Sequence, residues 1–240
     1  MQNRYAGDVG DFGKIGLLRQ LAAAGYHIGV NWYLAPDESH NEDGKHIGYL
    51  SSKQFDGCDD VLRTALGDIV FGQRSIVAIE DAELIPNAAY YHQPLLPPSD
   101  AFSRKLWHEA ALSQLQSADI VFLDPDNGLL VKSVSPTGAK SCKSLFQQEV
   151  VDYYAHGQSV IFYNHRCREQ EEVYLQRFMW LFHISELSNA EITALKYSRG
   201  STRDYICLMQ TEHSAGIKDV INQVMQSNWK RHFSTLEMHL

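Results

Sequence analysis

Val121-Phe122-Leu123-Asp124-Pro125-Asp126-Asn127-Gly128 is an apolar run cut short by an Asp-Pro-Asp-Asn-Gly turn. Proline and glycine break regular structure, and aspartate and asparagine favour turns. The segment predicts a buried strand over 119–123 that delivers Asp124 to its carboxyl end. In an open α/β sheet, ligands bind just beyond the carboxyl ends of parallel strands. This strand end and the start of the chain, Arg4 to Leu18, are the two segments around which the rest is arranged.

Residues 4–11 (Arg-Tyr-Ala-Gly-Asp-Val-Gly-Asp) read as a loop in which Gly7 and Gly10 allow close backbone approach. Apolar spacing at Phe12, Ile15, Leu18 and Leu21 predicts a helix over 11–24, capped by Asp11 and ended by Gly25. Lys14 then lies in the first turn, an unfavourable place for a cation against the helix dipole. It is either a solvated lysine or one that reaches back over the loop to hold an anion. A short strand, 28–34, carries Asn31. It leads into the polar loop 35–46, with Asp37, Glu38, Glu42 and Asp43 beside His40, Lys45 and His46. Such a loop is a solvated connection, a ligand-contacting segment or an oxygen and imidazole metal site.

Further along, the pattern predicts a helix over 57–67 burying Cys58, Val61, Leu62 and Ala65, then a strand over 75–79 closed by Glu80-Asp81. Acids at a second strand's end can hold ribose hydroxyls, or simply mark a polar strand end. A helix over 100–117, capped by Ser99 or Asp100, presents Phe102, Leu106, Ala110 and Ser113 as a stripe, extended by Trp107, Ala111 and Leu115. A helix begins near Lys143 and stops at Gly157. The strand 159–163 ends in Asn164-His165-Arg166-Cys167-Arg168, and another helix spans 168–182. Strands over 191–197 and 204–210 are joined too closely for a parallel crossover, so they pair antiparallel. A last helix buries Ile217, Val220, Ile221 and Val224. Trp229 and Phe233 read as packing residues. The expected architecture is a doubly wound, mostly parallel α/β sheet with helices on both faces and a C-terminal antiparallel strand pair.

The chain of 240 residues, 44% hydrophobic, suits one α/β domain over 1–240. Its net charge of −8 argues against a non-specific nucleic-acid binder, though not against a local basic groove. Cys58, Cys142, Cys167 and Cys207 form no Cys-x-x-Cys pair, which points to reduced thiols in a cytoplasmic protein. No basic-then-apolar leader opens the chain, and no apolar run is long enough to span a bilayer.

Two motifs carry a family likeness. Asp124-Pro125-Asp126-Asn127 resembles the Asp/Asn-Pro-Pro-Tyr/Phe motif of amino-group methyltransferases. Tyr5-Ala6-Gly7-Asp8-Val9-Gly10-Asp11-Phe12-Gly13-Lys14 resembles the N-terminal segment of the large-subunit rRNA adenine-N6 methyltransferases, with Gly7, Asp11 and Lys14 at matching positions. The chain also resembles a bacterial and phage-associated family of uncharacterised proteins that begins Asn-Arg-Tyr-x-Gly-Asp-x-Gly-Asp-Phe-Gly-Lys. The resemblance implies a Rossmann-like, class I methyltransferase-like fold and S-adenosylmethionine as cofactor. It implies an amino-group target, of a nucleic acid or a related amine. By position, Tyr5, Gly7, Asp8, Asp11, Lys14 and Asp37 would line the cofactor, Lys14 lying near its carboxylate, and Glu80 or Asp81 would hold the ribose. Asp124 and the Pro125 carbonyl, with Asp126 and Asn127, would orient the target amine in line with the methyl group. His40, Asn164 and His165 would face the substrate. The chain departs from the pattern in two places. Ala35-Pro36-Asp37-Glu38 stands where a Gly-x-Gly turn is usual. Asp126-Asn127 replaces the second proline and the aromatic that stacks on a flipped base; Tyr90, Tyr91 or Tyr163 are the available substitutes.

Two other readings use the same residues. Asp37, His40, Asp124, Asp126 and His165 at strand ends could serve a metal-dependent hydrolase or nuclease. Alternatively, the scaffold binds without catalysis, through Arg166, Arg168, Lys196, Arg199, Arg203, Lys230 and Arg231; those charges are otherwise ordinary solvated ones.

Overall fold

The computed structural model describes residues 1–37, 44–97, 100–166 and 169–238. His40, with the other polar-loop residues 38–43, and the Cys167-Arg168 pair lie outside the described residues.

Seven strands form one mixed sheet: β1 (Ile28–Asn31), β2 (Ala89–Tyr91), β3 (Ile120–Leu123), β4 (Ser159–His165), β5 (Glu191–Arg199), β6 (Ser201–Met209) and β7 (Phe233–Leu236). Their order across the sheet is β2-β1-β3-β4-β6-β5-β7. The first four run parallel. The β5–β6 hairpin turns at Gly200, whose φ of +68° suits the tight reversal. It inserts β6 antiparallel against β4, and β7 adds an antiparallel edge beyond β5. The expected parallel core and terminal pair are therefore present. The extra strand β7 makes parallel and antiparallel pairings equal in number, so the sheet is mixed rather than mostly parallel.

Both faces of the sheet are covered, which is why its central strands read as unbroken apolar runs. Along β3, Ile120 and Phe122 point into one core with α1 (Val9–Ala23), α2 (Asp60–Phe71) and α7 (Thr211–Gln226). Val121 and Leu123 point into the other, with α4 (Ala101–Gln114) and α5 (Gln147–Ala155). Glycines let α1 lie close on the C-terminal hairpin and on the segment after it. A Cβ at Gly13 would meet the Tyr197 ring at 2.5 Å, and one at Gly16 the Trp229 ring at 2.4 Å. Trp229 and Phe233 are indeed core residues.

Several local expectations are corrected. Residues 76–81 form a helix, α3 (Ile76–Asp81), capped by the Ser75 side chain, rather than a strand. Only Ile76 and Ile79 are buried there, a spacing of three that suits a helix. The second strand is Ala89–Tyr91 instead, so Glu80 and Asp81 do not end a strand. Asp8, not Asp11, caps α1, accepting from the backbone N–H of Gly10 and Asp11. Helix α2 starts later and runs longer than its glycine boundaries imply, because Asp59 caps it. It buries Leu62, Leu66 and Ile69 while Val61 is exposed. Helix α4 turns Arg104, Trp107, His108 and Ala111 inward and leaves Phe102 and Leu106 exposed. An ion pair between Arg104 and Glu149, Nε to Oε1 at 2.6 Å, sets that orientation. The expected helix over 168–182 is a short α6 (Glu171–Leu175) followed by a 3-10 turn. No helix among the described residues is long and apolar enough to cross a membrane.

His232 ties the C-terminal edge to the turn at 53–55. Its ring stacks on Phe55 at 4.2 Å, accepts from Arg199 Nε, and lies 3.1 Å from the Gln54 carbonyl. Burial and then the Arg199 charge hold its pKa down at about 4. The folded state thus keeps the ring neutral, while the unfolded chain takes up a proton near the ordinary value of about 6.5. Stability from this group is present above that value and is lost as the pH falls toward 4. Denaturant titrations should show His232→Gln losing less stability than the wild type between pH about 7 and about 4.

Candidate functional site

The sheet order places a switch point between β1 and β3, because the chain leaves β1 toward β2 on one side and returns to β3 on the other. Asp124 follows β3 at that point, and its N–H bonds the Asn31 carbonyl at 2.9 Å. The Asp-Pro-Asp-Asn-Gly turn is then held from two sides. Asn127 N–H donates to the Lys143 carbonyl at 2.9 Å. Asn164 Oδ1 accepts from Leu129 N–H at 2.8 Å. Gly128 has a φ of +79°, and a Cβ there would fall 2.1 Å from Asn164 Oδ1. Asn164 is buried and also donates to the Tyr174 hydroxyl. Asn164 therefore supports the turn from behind and is not among the residues lining the cleft described below.

Helix α1 brings the N-terminal motif to the same edge. Lys14 Nζ lies 2.6 Å from Asp124 Oδ2 and 2.7 Å from Asp11 Oδ1. It also sits 4.8 Å from the centre of the Trp32 ring. The second oxygen of Asp11 accepts from Gly7 N–H at 2.9 Å. All three charged side chains are buried. With both carboxyls ionised, two carboxylates sharing one ammonium carry a formal local charge of −1. Burial pushes Asp11 and Asp124 above the usual carboxylate range, with Lys14 acting against it. Lys14 is held above its ordinary value: burial opposes this, but Asp11 and Asp124 outweigh it. Lys14 does reach back to hold anions, and those anions are the protein's own carboxylates.

Asp126 has different company. The Met1 amine lies 2.7 Å from its Oδ1, and Gln2 Nε2 donates to Oδ2 at 2.7 Å. Burial would raise Asp126, but the amine, Gln2 and Lys143 together hold it below the usual range.

Around these groups opens a cleft of about 890 Å³, within the usual span for small-molecule sites. It gathers most of the residues singled out in the sequence: Tyr5, Asp8, Asp11, Lys14, Asp37, Asp124, Pro125, Asp126, Asn127 and His165. Gly7 is not on its wall. A φ of +77° and a carbonyl accepting the Tyr49 hydroxyl at 2.9 Å make Gly7 part of the loop's frame. Glu80 and Asp81 lie elsewhere. Glu80 accepts from Trp32 Nε1 at 2.7 Å and pairs with His92, and Asp81 is exposed at the end of α3. Among the described residues, no group of three or more His, Cys, Asp or Glu side chains is placed to hold a metal ion. Asp124 and Asp126, which a metal reading needs, each face a cation already.

The cleft also contains Arg203 and Tyr205, residues that in the sequence look like a solvated charge and an ordinary strand aromatic. Their spacing of two on a strand puts them on one face. Register brings Arg203 opposite His165, so the start of β6 meets the carboxyl end of β4. Alternation within 201–209 is the available signal. Compared with known families and curated proteins, the chain matches no family profile and no curated relative.

Replacing Lys14 tests the charge balance. In Lys14→Met the two carboxylates are buried without a counter-ion, so their folded pKa rises further above the unfolded value. The cost is then fully felt above the folded pKa and is relieved as the pH falls through it. Lys14→Met should lose about 3–5 kcal/mol at pH about 8 and distinctly less at pH about 5, measured by denaturant unfolding.

Proposed function

We propose that the protein is an S-adenosylmethionine-dependent methyltransferase acting on an amino group, on a Rossmann-like, class I methyltransferase-like fold. The observation that carries the reading is the 2.6 Å contact between Lys14 and Asp124. It joins the two motifs that resemble such enzymes in one cleft at the sheet's switch point. The parallel strands β1 to β4, followed by an antiparallel pair, support the same fold assignment.

The residues present fit the cofactor at its charged end. The excess negative charge of Asp11, Lys14 and Asp124 suits a sulfonium. At the nucleoside end, β1 stops at Asn31 rather than at residue 34, so the place of the usual glycine turn falls on Trp32 and Tyr33, both fully buried, and not on residues 35–38. Asp37, on the cleft wall, is the acid positioned for the ribose in place of Glu80 or Asp81. S-adenosylmethionine, when bound, supplies an electrophilic methyl carbon. The chain's part is positioning and electrostatics. Lys14 engages Oδ2 of Asp124 and leaves Oδ1 to accept an N–H of the target amine, beside the Pro125 carbonyl. The amine's lone pair is thereby aimed at the methyl carbon. Tyr163, whose hydroxyl lies 3.0 Å from His165 Nδ1, supplies an aromatic wall where the motif lacks its own. Lys140 and Lys143 on the same cleft suit a target that carries phosphate, as a nucleic acid does.

Isothermal titration tests the charge argument directly. With chelator present, the wild type should bind S-adenosylmethionine about tenfold more tightly than neutral S-adenosylhomocysteine, a difference of about 1.4 kcal/mol. Asp124→Asn should erase the preference. No binding of either compound would overturn the proposed function.

A further inference from the structure

Arg203 is the charged side chain of the cleft with the least explained surroundings. It is buried, yet among the described residues its guanidinium has one hydrogen bond, Nη2 to Ser201 Oγ at 2.8 Å. Its Nε has no partner, and neither does the hydroxyl of Tyr205 two residues along the same face. Buried donors in native proteins are nearly always paired, so such orphans point to a missing partner.

The guanidinium rests on the first turn of α1 where a side chain is absent. A Cβ on Gly10 would fall 1.5 Å from Nη1. Only glycine leaves that space. On the same turn stands Asp8, also on the cleft wall. Its Oδ1 accepts from Gly10 N–H at 2.7 Å and Asp11 N–H at 3.0 Å, which leaves Oδ2 unspent. One end of the cleft thus presents a fixed cation and a fixed anion side by side. Lys14, the expected anchor for a carboxylate, is already engaged by Asp11 and Asp124 and sits over the Trp32 ring.

We infer that Arg203 and Asp8 together hold an α-amino acid group, the carboxylate on Arg203 and the ammonium on Asp8, and that this group is the amino-acid end of the bound cofactor. The pairing follows from chemistry. A planar guanidinium with a free edge suits a carboxylate, and an aspartate oxygen accepts from an ammonium. A target phosphate would use Arg203 but gain nothing from Asp8 beside it. The inference rests on the proposed function and replaces Lys14 with Arg203 as the carboxylate anchor.

The test compares two ligands that share a nucleoside. S-adenosylhomocysteine carries the amino-acid group; 5′-methylthioadenosine lacks it. Both are titrated into the wild type, Arg203→Gln and Asp8→Asn, the last keeping a residue suited to capping α1. Arg203→Gln should weaken S-adenosylhomocysteine by roughly 10- to 100-fold, the usual range for a hydrogen bond to a charged group. It should leave 5′-methylthioadenosine unchanged. That unchanged value also shows that the variant is folded. Asp8→Asn should weaken only S-adenosylhomocysteine, by a smaller factor. Equal loss of both ligands in both variants, or no loss of S-adenosylhomocysteine in Arg203→Gln, overturns the inference while leaving the methyltransferase reading standing. A wild type that binds neither ligand overturns both.

Discussion

One buried ammonium between two buried carboxylates holds the two halves of this site together. Lys14 and Asp11 come from the first turns of α1, and Asp124 from the end of β3, 110 residues beyond Lys14. Taking three charges out of water is costly, and the attraction between them offsets that cost only when the geometry is good. The contacts of 2.6 and 2.7 Å meet that condition. A hydrophobic trio of the same volume would do as well for stability alone. Charges kept at such cost at a strand end, facing an open cleft, are the pattern that the proposed function accounts for. The leftover negative charge is the feature an apolar substitute could not reproduce.

The same helix is fastened to the far end of the chain by absent side chains. Gly10, Gly13 and Gly16 line one side of α1, and Arg203, Tyr197 and Trp229 occupy the space their Cβ atoms would take. Each glycine costs a helix interior roughly 1 kcal/mol relative to alanine. The return is close contact between the N-terminal motif and the C-terminal hairpin with the segment after it. That contact brings Arg203 beside Asp8 at the wall of the cleft. Fold and cleft therefore share one constraint: α1 must approach the hairpin closely enough for side chains from both to line one cleft.

These particulars show what a sequence conveys and what it withholds. The β3 strand end, the last helix and the β5–β6 hairpin are legible because each couples a strong periodic pattern to a clear breaker. The convergence of Asp8, Asp11, Lys14 and Asp124 is legible through motif resemblance and the strand-end rule. Helix α3 reads as a strand because four of its six residues are Ile, Val or Ala, and so short an apolar run has no decisive period. The buried face of α4 is hidden because it is chosen by an ion pair, Arg104 with Glu149, and not by Phe102 and Leu106. Asn164 draws notice by its position at a strand end, and only its contacts reveal that it supports the turn. Arg203 looks like a surface charge because its burial depends on a missing side chain at Gly10, far away at the other end of the chain.

The end of β1 shows how the cleft differs from a glycine-cradled one. Tyr33 follows Trp32 at a φ of +46°, a conformation that costs a non-glycine residue about 1–3 kcal/mol. It is held there by a chain of contacts. Asn31 Oδ1 accepts its N–H at 3.2 Å, and its hydroxyl donates to Glu149 Oε2 at 3.0 Å. Glu149 in turn accepts from Nε and Nη2 of Arg104, which also donates to the carbonyls of Ser141 and Ser144. With two large aromatics filling this corner, backbone N–H groups at the end of β1 are not presented to a ligand. The cleft wall is made instead by charged side chains on α1, the β3 turn and the start of β6. Recognition built this way depends on fixed charges of both signs rather than on a backbone cradle. Under the proposed function it suits a ligand that itself carries separated charges, which accounts for a cofactor site without the usual glycine signature.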